Sequence, residues 1–143
     1  MKALKHDEIA AEASKPMDYF PHDSAAYSDV KIRKLVRRCG MEGYGRWWRL
    51  CEILAATKGH RLCLSCEEEV EMLADDLMFD GSAELVDFLS TLSSVGLIDG
   101  FGDGEVWSAR MLENSMWVGK KRAAGKMGGR PVGSGAKRGS AEC

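Results

Sequence analysis

A chain of 143 residues, 45% hydrophobic and 8% aromatic, can bury one core of ordinary size, so one domain with tails is expected. No apolar run reaches the roughly 18 residues of a membrane span. The opening MKALKHDEIAAEASK is charged where a signal peptide would be apolar, so a cytoplasmic protein without a membrane segment is expected. The net charge of −2 conceals an asymmetry: residues 119–143 hold seven Lys/Arg against one acid, whereas the other 118 carry 13 basic and 21 acidic side chains.

Residues 1–17 show no firm pattern and are read as a flexible N-terminal arm, with a short helical piece at Asp7–Ala13. Asp18-Tyr19-Phe20-Pro21 follows. Pro21 holds its predecessor extended, so Tyr19, Phe20 and Tyr27 are expected to dock against the core as an ordered lead-in. Ser28 is an expected N-cap for a helix over Asp29–Cys39 that ends at Gly40. Ile32, Leu35, Val36 and Cys39 form its buried stripe at helical spacing. Lys31, Arg33, Lys34, Arg37 and Arg38 occupy its other faces, against a single acid, Asp29. Two readings stand side by side, a solvated face and a phosphate-contacting one.

Met41–Thr57, MEGYGRWWRLCEILAAT, is apolar around most of its circumference and predicts a buried central helix. Trp47 and Trp48 are read as core rather than as a base-stacking platform. Arg46 and Arg49, where exposed, are candidates for phosphate contact. His60–Leu64 reads as a short strand. Ser65-x-x-Glu68 predicts a capping box opening a helix to Met78, and Phe79-Asp80-Gly81 breaks it. Ser82 is expected to cap a helix through Val95, stopped by Gly96.

Leu97–Asp99, a glycine-rich Gly100–Gly104 and Glu105–Ser108 predict a β-hairpin. With Arg61–Leu64 as a third strand, the hairpin is the wing of a winged helix. Ala109–Val118 predicts a closing helix, and beyond Gly119 the composition is that of a disordered tail. The expected class is therefore mainly α with a small β-sheet (α+β): a winged helix-turn-helix over 18–118, an arm at 1–17 and a basic Gly-rich tail at 119–143.

The tail supplies Lys120, Lys121, Arg122, Lys126, Arg130, Lys137 and Arg138. Gly129-Arg130-Pro131 suits the minor groove when basic residues flank it, and a solubilising tail is the competing reading. His60-x-x-Cys63-x-x-Cys66 has zinc-like spacing but lacks a fourth ligand. Five cysteines (39, 51, 63, 66, 143) are read as reduced thiols, with Cys39 and Cys51 in the core. The histidines and acids show no catalytic order, so neither an enzyme nor a cofactor is expected.

The chain resembles the N-terminal winged-helix domain of phage replication proteins, related to DnaD-type replisome organisers. Asp18-Tyr19-Phe20-Pro21, Asp29-x-Lys31-Ile32, Gly40-x-Glu42-Gly43-Tyr44, Leu50-Cys51-Glu52-Ile53, Gly96-Leu97-Ile98 and the segment at Ser108 carry the likeness across 18–118. The resemblance implies a winged helix that helps assemble a replication complex on DNA, often by self-association. DNA at low sequence specificity, a second copy and replication proteins are the implied partners. One departure bears on mechanism: Ser82–Val95, the helix placed to read the major groove, has no Lys or Arg, and those residues make the commonest specific base contact. A protein–protein assembly module and a transcriptional regulator are the alternative functions.

Overall fold

The computed structural model describes residues 6–128. Five α-helices run α1 His6–Ala13, α2 Val30–Ala56, α3 Glu67–Asp76, α4 Ser82–Val95 and α5 Ala109–Gly128. Two short strands, β1 Leu62–Cys63 and β2 Glu105–Val106, pair antiparallel with Leu62 opposite Val106 and Cys63 opposite Glu105. The fold is mainly α with a small β-sheet, as the sequence predicts. The strand expected at Arg61–Leu64 forms as β1, whereas Leu97–Asp99, expected as the first strand of the hairpin, is reduced to one bridge, Asp99 to Trp107, on the other side of β2. Its two backbone bonds measure 2.9 and 3.2 Å. A single 3-10 turn, Phe101–Asp103, tightens the glycine-rich loop.

The basic and the central helix predicted separately are the two halves of α2. Gly40 divides them at φ 70 and ψ −171, a backbone conformation open essentially to glycine alone. The first half buries Ile32 and Leu35. The second buries Trp47, Leu50, Cys51, Leu54 and Ala55, and its Leu50 and Leu54 are fully enclosed. Leu85, Leu89 and Leu92 of α4 and Leu77 after α3 close the same core. Full burial of a leucine contributes about 1.5–3 kcal/mol, so this layer of leucines is where the stability is concentrated.

The caps fall one residue from their expected places. Asp29, not Ser28, caps α2, its carboxylate accepting from the Lys31 amide at 2.8 Å. Cys66 occupies the N-cap of α3 without a side-chain bond, and Ser65 Oγ instead donates to Glu69 at 3.4 Å. The capping box therefore does not form. Gly81 precedes α4, with Ser82 as its first helical residue. α3 stops at Asp76, short of Met78, which takes φ 62. Ser108 does cap α5, accepting from the Met111 amide at 3.2 Å.

Both ends of the described chain depart from expectation. The arm is not free: α1 packs along α5, Ala13 and Met17 are buried, and the Met17 amide donates to Ala55 O at 2.9 Å. α5 does not end near Val118 but runs to Gly128. Gly119, taken in the sequence for a helix end, is buried where α5 meets α1. A Cβ there would lie 2.7 Å from Ala13 Cβ and 2.8 Å from Ile9 O. Only a glycine lets the two helices approach so closely.

Gly119→Ala is therefore expected to push α1 off α5, at about 1–3 kcal/mol for overpacking. Hydrogen exchange measured by mass spectrometry should rise across His6–Ala13 while α4 keeps its protection. Unaltered exchange in α1 would contradict the close crossing.

Candidate nucleic-acid interface

The cations nominated by the sequence fall into three structural groups. Lys31, Arg33, Lys34, Arg37 and Arg38 are all exposed on the first half of α2, because Ile32 and Leu35 turn the opposite face into the core. Arg38 donates to Ser94 Oγ on α4 at 2.7 Å, which fixes the first half of α2 against α4. Lys31 lies beside Gly96 at the end of α4. Arg33, Lys34 and Arg37 have no hydrogen bond or ion pair from their side chains among the described residues. Three neighbouring cations without internal counter-charges form a surface suited to phosphate oxygens.

A groove of about 780 Å³ runs along these side chains. Arg33, Lys34 and Arg37 line it together with Tyr27, Val30 and Met41, and no carboxylate does. Tyr27 was expected to dock on the core. It is 75% exposed instead, as Tyr19 is at 85%. The lead-in docks through other residues: Phe20 packs against the core, and the His22 ring stacks on Trp48 with centroids 3.5 Å apart. Trp47 is buried and Trp48 partly so, which removes both from the candidate stacking surface.

The second group, on α5, is largely engaged in holding the fold. Arg122 donates to Glu12 O and Pro16 O, each at 3.2 Å. Lys126 pairs with the Glu12 carboxylate, which Lys15 also reaches at 2.8 Å. Lys121 sits 4.2 Å from the centre of the Trp117 ring. Lys120 is exposed. A disordered basic tail is expected from Gly119, but as far as Gly128 the chain is helical and braces α1 instead. The third group, Arg130, Lys137 and Arg138, lies outside the described residues.

Arg46 and Arg49 are also committed. Arg46 donates to Leu77 O at 2.7 Å and Met78 O at 2.8 Å, pairs with Glu42, and lies 4.0 Å from the centre of the Phe79 ring. Arg49 reaches Asp76 O at 3.3 Å. Both satisfy carbonyls that the C-terminal end of α3 leaves open, where positive charge is favoured.

α4 presents Glu84, Asp87, Ser90 and Ser94 to solvent, with Thr91 half-buried. Glu67, Glu68, Glu71, Asp75 and Asp76 of α3 are likewise exposed. His60 is buried, its ring nitrogens 2.9 Å from Leu54 O and 2.8 Å from Ala13 O. It could join Cys63 and Cys66 around a metal only by freeing a ring nitrogen from one of these carbonyls. The two thiols are exposed. Cys51 is buried as expected, and its burial pushes the thiol well above the ordinary range. Cys39 is only partly buried.

These features define a small, mainly α domain that gathers unpaired cations on one helix and acids on two others. Residues 19–104 match the family model described as Lin1244/Lin1753-like, N-terminal, and the chain belongs to that family. Neither the curated proteins nor the solved structures contain a match to the chain.

Two predictions separate bracing charges from free ones. The hydrogen bond from Lys126, then that from Lys15, lowers the Glu12 carboxyl from its ordinary 4.5 to about 2. A depressed folded value means that the pair stabilises the docked α1 above pH 4.5, and that this is lost as pH falls towards 2. The protection of His6–Ala13, taken relative to the intrinsic amide exchange rate at each pH, should accordingly fall across that window, and Glu12→Gln should flatten the dependence. Separately, Arg46→Ala should destabilise the fold by about 2 kcal/mol, by stripping charged hydrogen bonds from two carbonyls. It should leave polyanion affinity unchanged, as denaturant titration and binding on the same sample would show.

Proposed function

We propose that the chain is a winged-helix accessory protein of phage-type DNA replication, related to the DnaD-type replisome organisers, that holds DNA through phosphate-directed cations. The order of elements supports the winged-helix reading: β2 lies between β1 and the Asp99 bridge, as the wing of such a domain requires. The observation that carries the DNA reading is the row Arg33, Lys34 and Arg37, exposed and without internal counter-charges among the described residues. Lys31 flanks that row. Arg130, Lys137 and Arg138 would add affinity without specificity. α4 bears no Lys or Arg, so specific major-groove reading is not part of the proposal.

A second reading has its own observation. Met72 (61% exposed), Met78 (76%) and Val86 (43%) stand among the acids of α3 and α4. Apolar residues within an acidic face suit a basic protein partner, which would make the domain an assembly module.

Binding to random-sequence DNA at a series of salt concentrations tests the first reading. Each phosphate contact contributes about 0.9 to the slope of log affinity against log salt on duplex and about 0.7 on a single strand. Replacing Arg33, Lys34 and Arg37 together by alanine should therefore lower the slope by roughly 2–3. Removing residues 129–143 tests the tail without touching Arg122 or Lys126, whereas a cut at 119 would also undock α1. If wild type fails to bind at low salt, the DNA reading is wrong.

A further inference from the structure

We infer that the groove along the first half of α2 is a binding site for single-stranded DNA, with unstacked bases laid on Tyr27, Val30 and Met41 and phosphates held by Arg33, Lys34 and Arg37. The inference rests on the phosphate-directed reading above and goes further by naming the form of the nucleic acid and the residues that meet its bases.

Phosphate contact alone accounts for the cations but not for what lies between them. Tyr27 is 75% exposed, Val30 61% and Met41 68%. These three and the three cations line one continuous groove. The local fold explains the mixture. Val30, Arg33, Lys34 and Arg37 share one helical face, opposite the buried Ile32 and Leu35. Tyr27 stands just before the helix on the 3-10 turn Ala26–Ser28. Met41 follows the Gly40 break. An aromatic ring and two aliphatic side chains are thus set at either end of a cationic rail.

A duplex offers its phosphates outside and hides the faces of its bases, so it would leave these apolar groups against water. Its usual reader is also unsuited, since α4 exposes Glu84 and Asp87 and carries no cation. A single strand offers phosphates and base faces together, and an aromatic platform beside a positive groove is the general solution for holding one. An acidic peptide with apolar side chains is the competing occupant. The exposed phenol ring favours the nucleic acid, because every base has a π-face to stack on it.

The experiment uses the full chain at low salt with three fluorescent probes: an oligothymidylate, an abasic phosphodeoxyribose strand of equal length, and a random duplex. The oligothymidylate should bind roughly tenfold tighter than the abasic strand, the worth of one stacked base. Tyr27→Ala should remove most of that difference and leave abasic binding unaltered, while Tyr27→Phe restores it. The Arg33→Ala/Arg37→Ala pair should weaken both strands. Tyr27 is exposed, so its variants should keep the wild-type melting temperature, which circular dichroism would check.

Equal affinity for the thymidylate and abasic strands, or tighter binding to the duplex, overturns the stacking site and leaves the phosphate-directed reading standing. Tyr27-dependent capture of an acidic Leu/Glu peptide, without a base-dependent preference among the strands, overturns the site in favour of a protein partner. Absence of binding to all three DNA probes overturns the phosphate-directed reading along with it.

Discussion

The break at Gly40 is the constraint on which the rest of the molecule depends. An unbroken helix over Val30–Ala56 would carry one apolar stripe along its whole length and drift with the helical period. Gly40, at φ 70 and ψ −171, re-aims the chain between two segments with different needs. The second must be enclosed on several sides, since Leu50 and Leu54 have no exposed surface. The first needs only one face covered, which leaves Arg33, Lys34 and Arg37 in solvent. The break thus allows one continuous element to carry both core and an exposed cationic face. Any side chain with a Cβ would be strained there, which makes this position more than a spacer.

The division of charge follows from the same arrangement. Other cations are used by the fold: Arg46 and Arg49 cover open carbonyls at the end of α3, and Arg122 and Lys126 tie down α1 and the segment that follows it. Arg33, Lys34 and Arg37 on the outer face of α2 have no such employment among the described residues. α3 and α4, by contrast, carry eight acids and no Lys or Arg. A polyanion is attracted by the first half of α2 and repelled by α3 and α4.

Much of this was legible in the sequence where periodicity was strong. The buried stripe of α2, the leucines of α4 and its Gly96 stop, and the cationic face opposite Ile32 and Leu35 all follow from helical spacing. The caps slipped by one residue because adjacent candidates compete: Ser28 with Asp29, and Ser65 with Cys66. α1 was legible as a short helix over Asp7–Ala13, but its docking was not, because the segment is polar and Arg122 and Lys126, which hold Glu12, lie far along the chain. The extension of α5 was hidden by composition, since Gly, Lys and Ala read as tail when the crossing at Gly119 is unknown. At the site, the charges were readable and the apolar half was not. Tyr27 was assigned to the core because an aromatic ring is usually buried there.

The clasp between α1 and α5 also sets an order of events when the chain is made. Arg122 bonds to Glu12 across 110 positions of sequence, and closing a loop of that length costs on the order of 4 kcal/mol of chain entropy. The contacts among α2, α3 and α4 span much less chain and can form first. A nascent polypeptide therefore releases α1 from the ribosome at the start, yet its docking partner is synthesised after the rest of the body. During that interval Ala13 has no Gly119 to pack against, and among the described residues Glu12 pairs with Lys15 alone. Completion of α5 is the moment at which the N-terminal segment acquires its place.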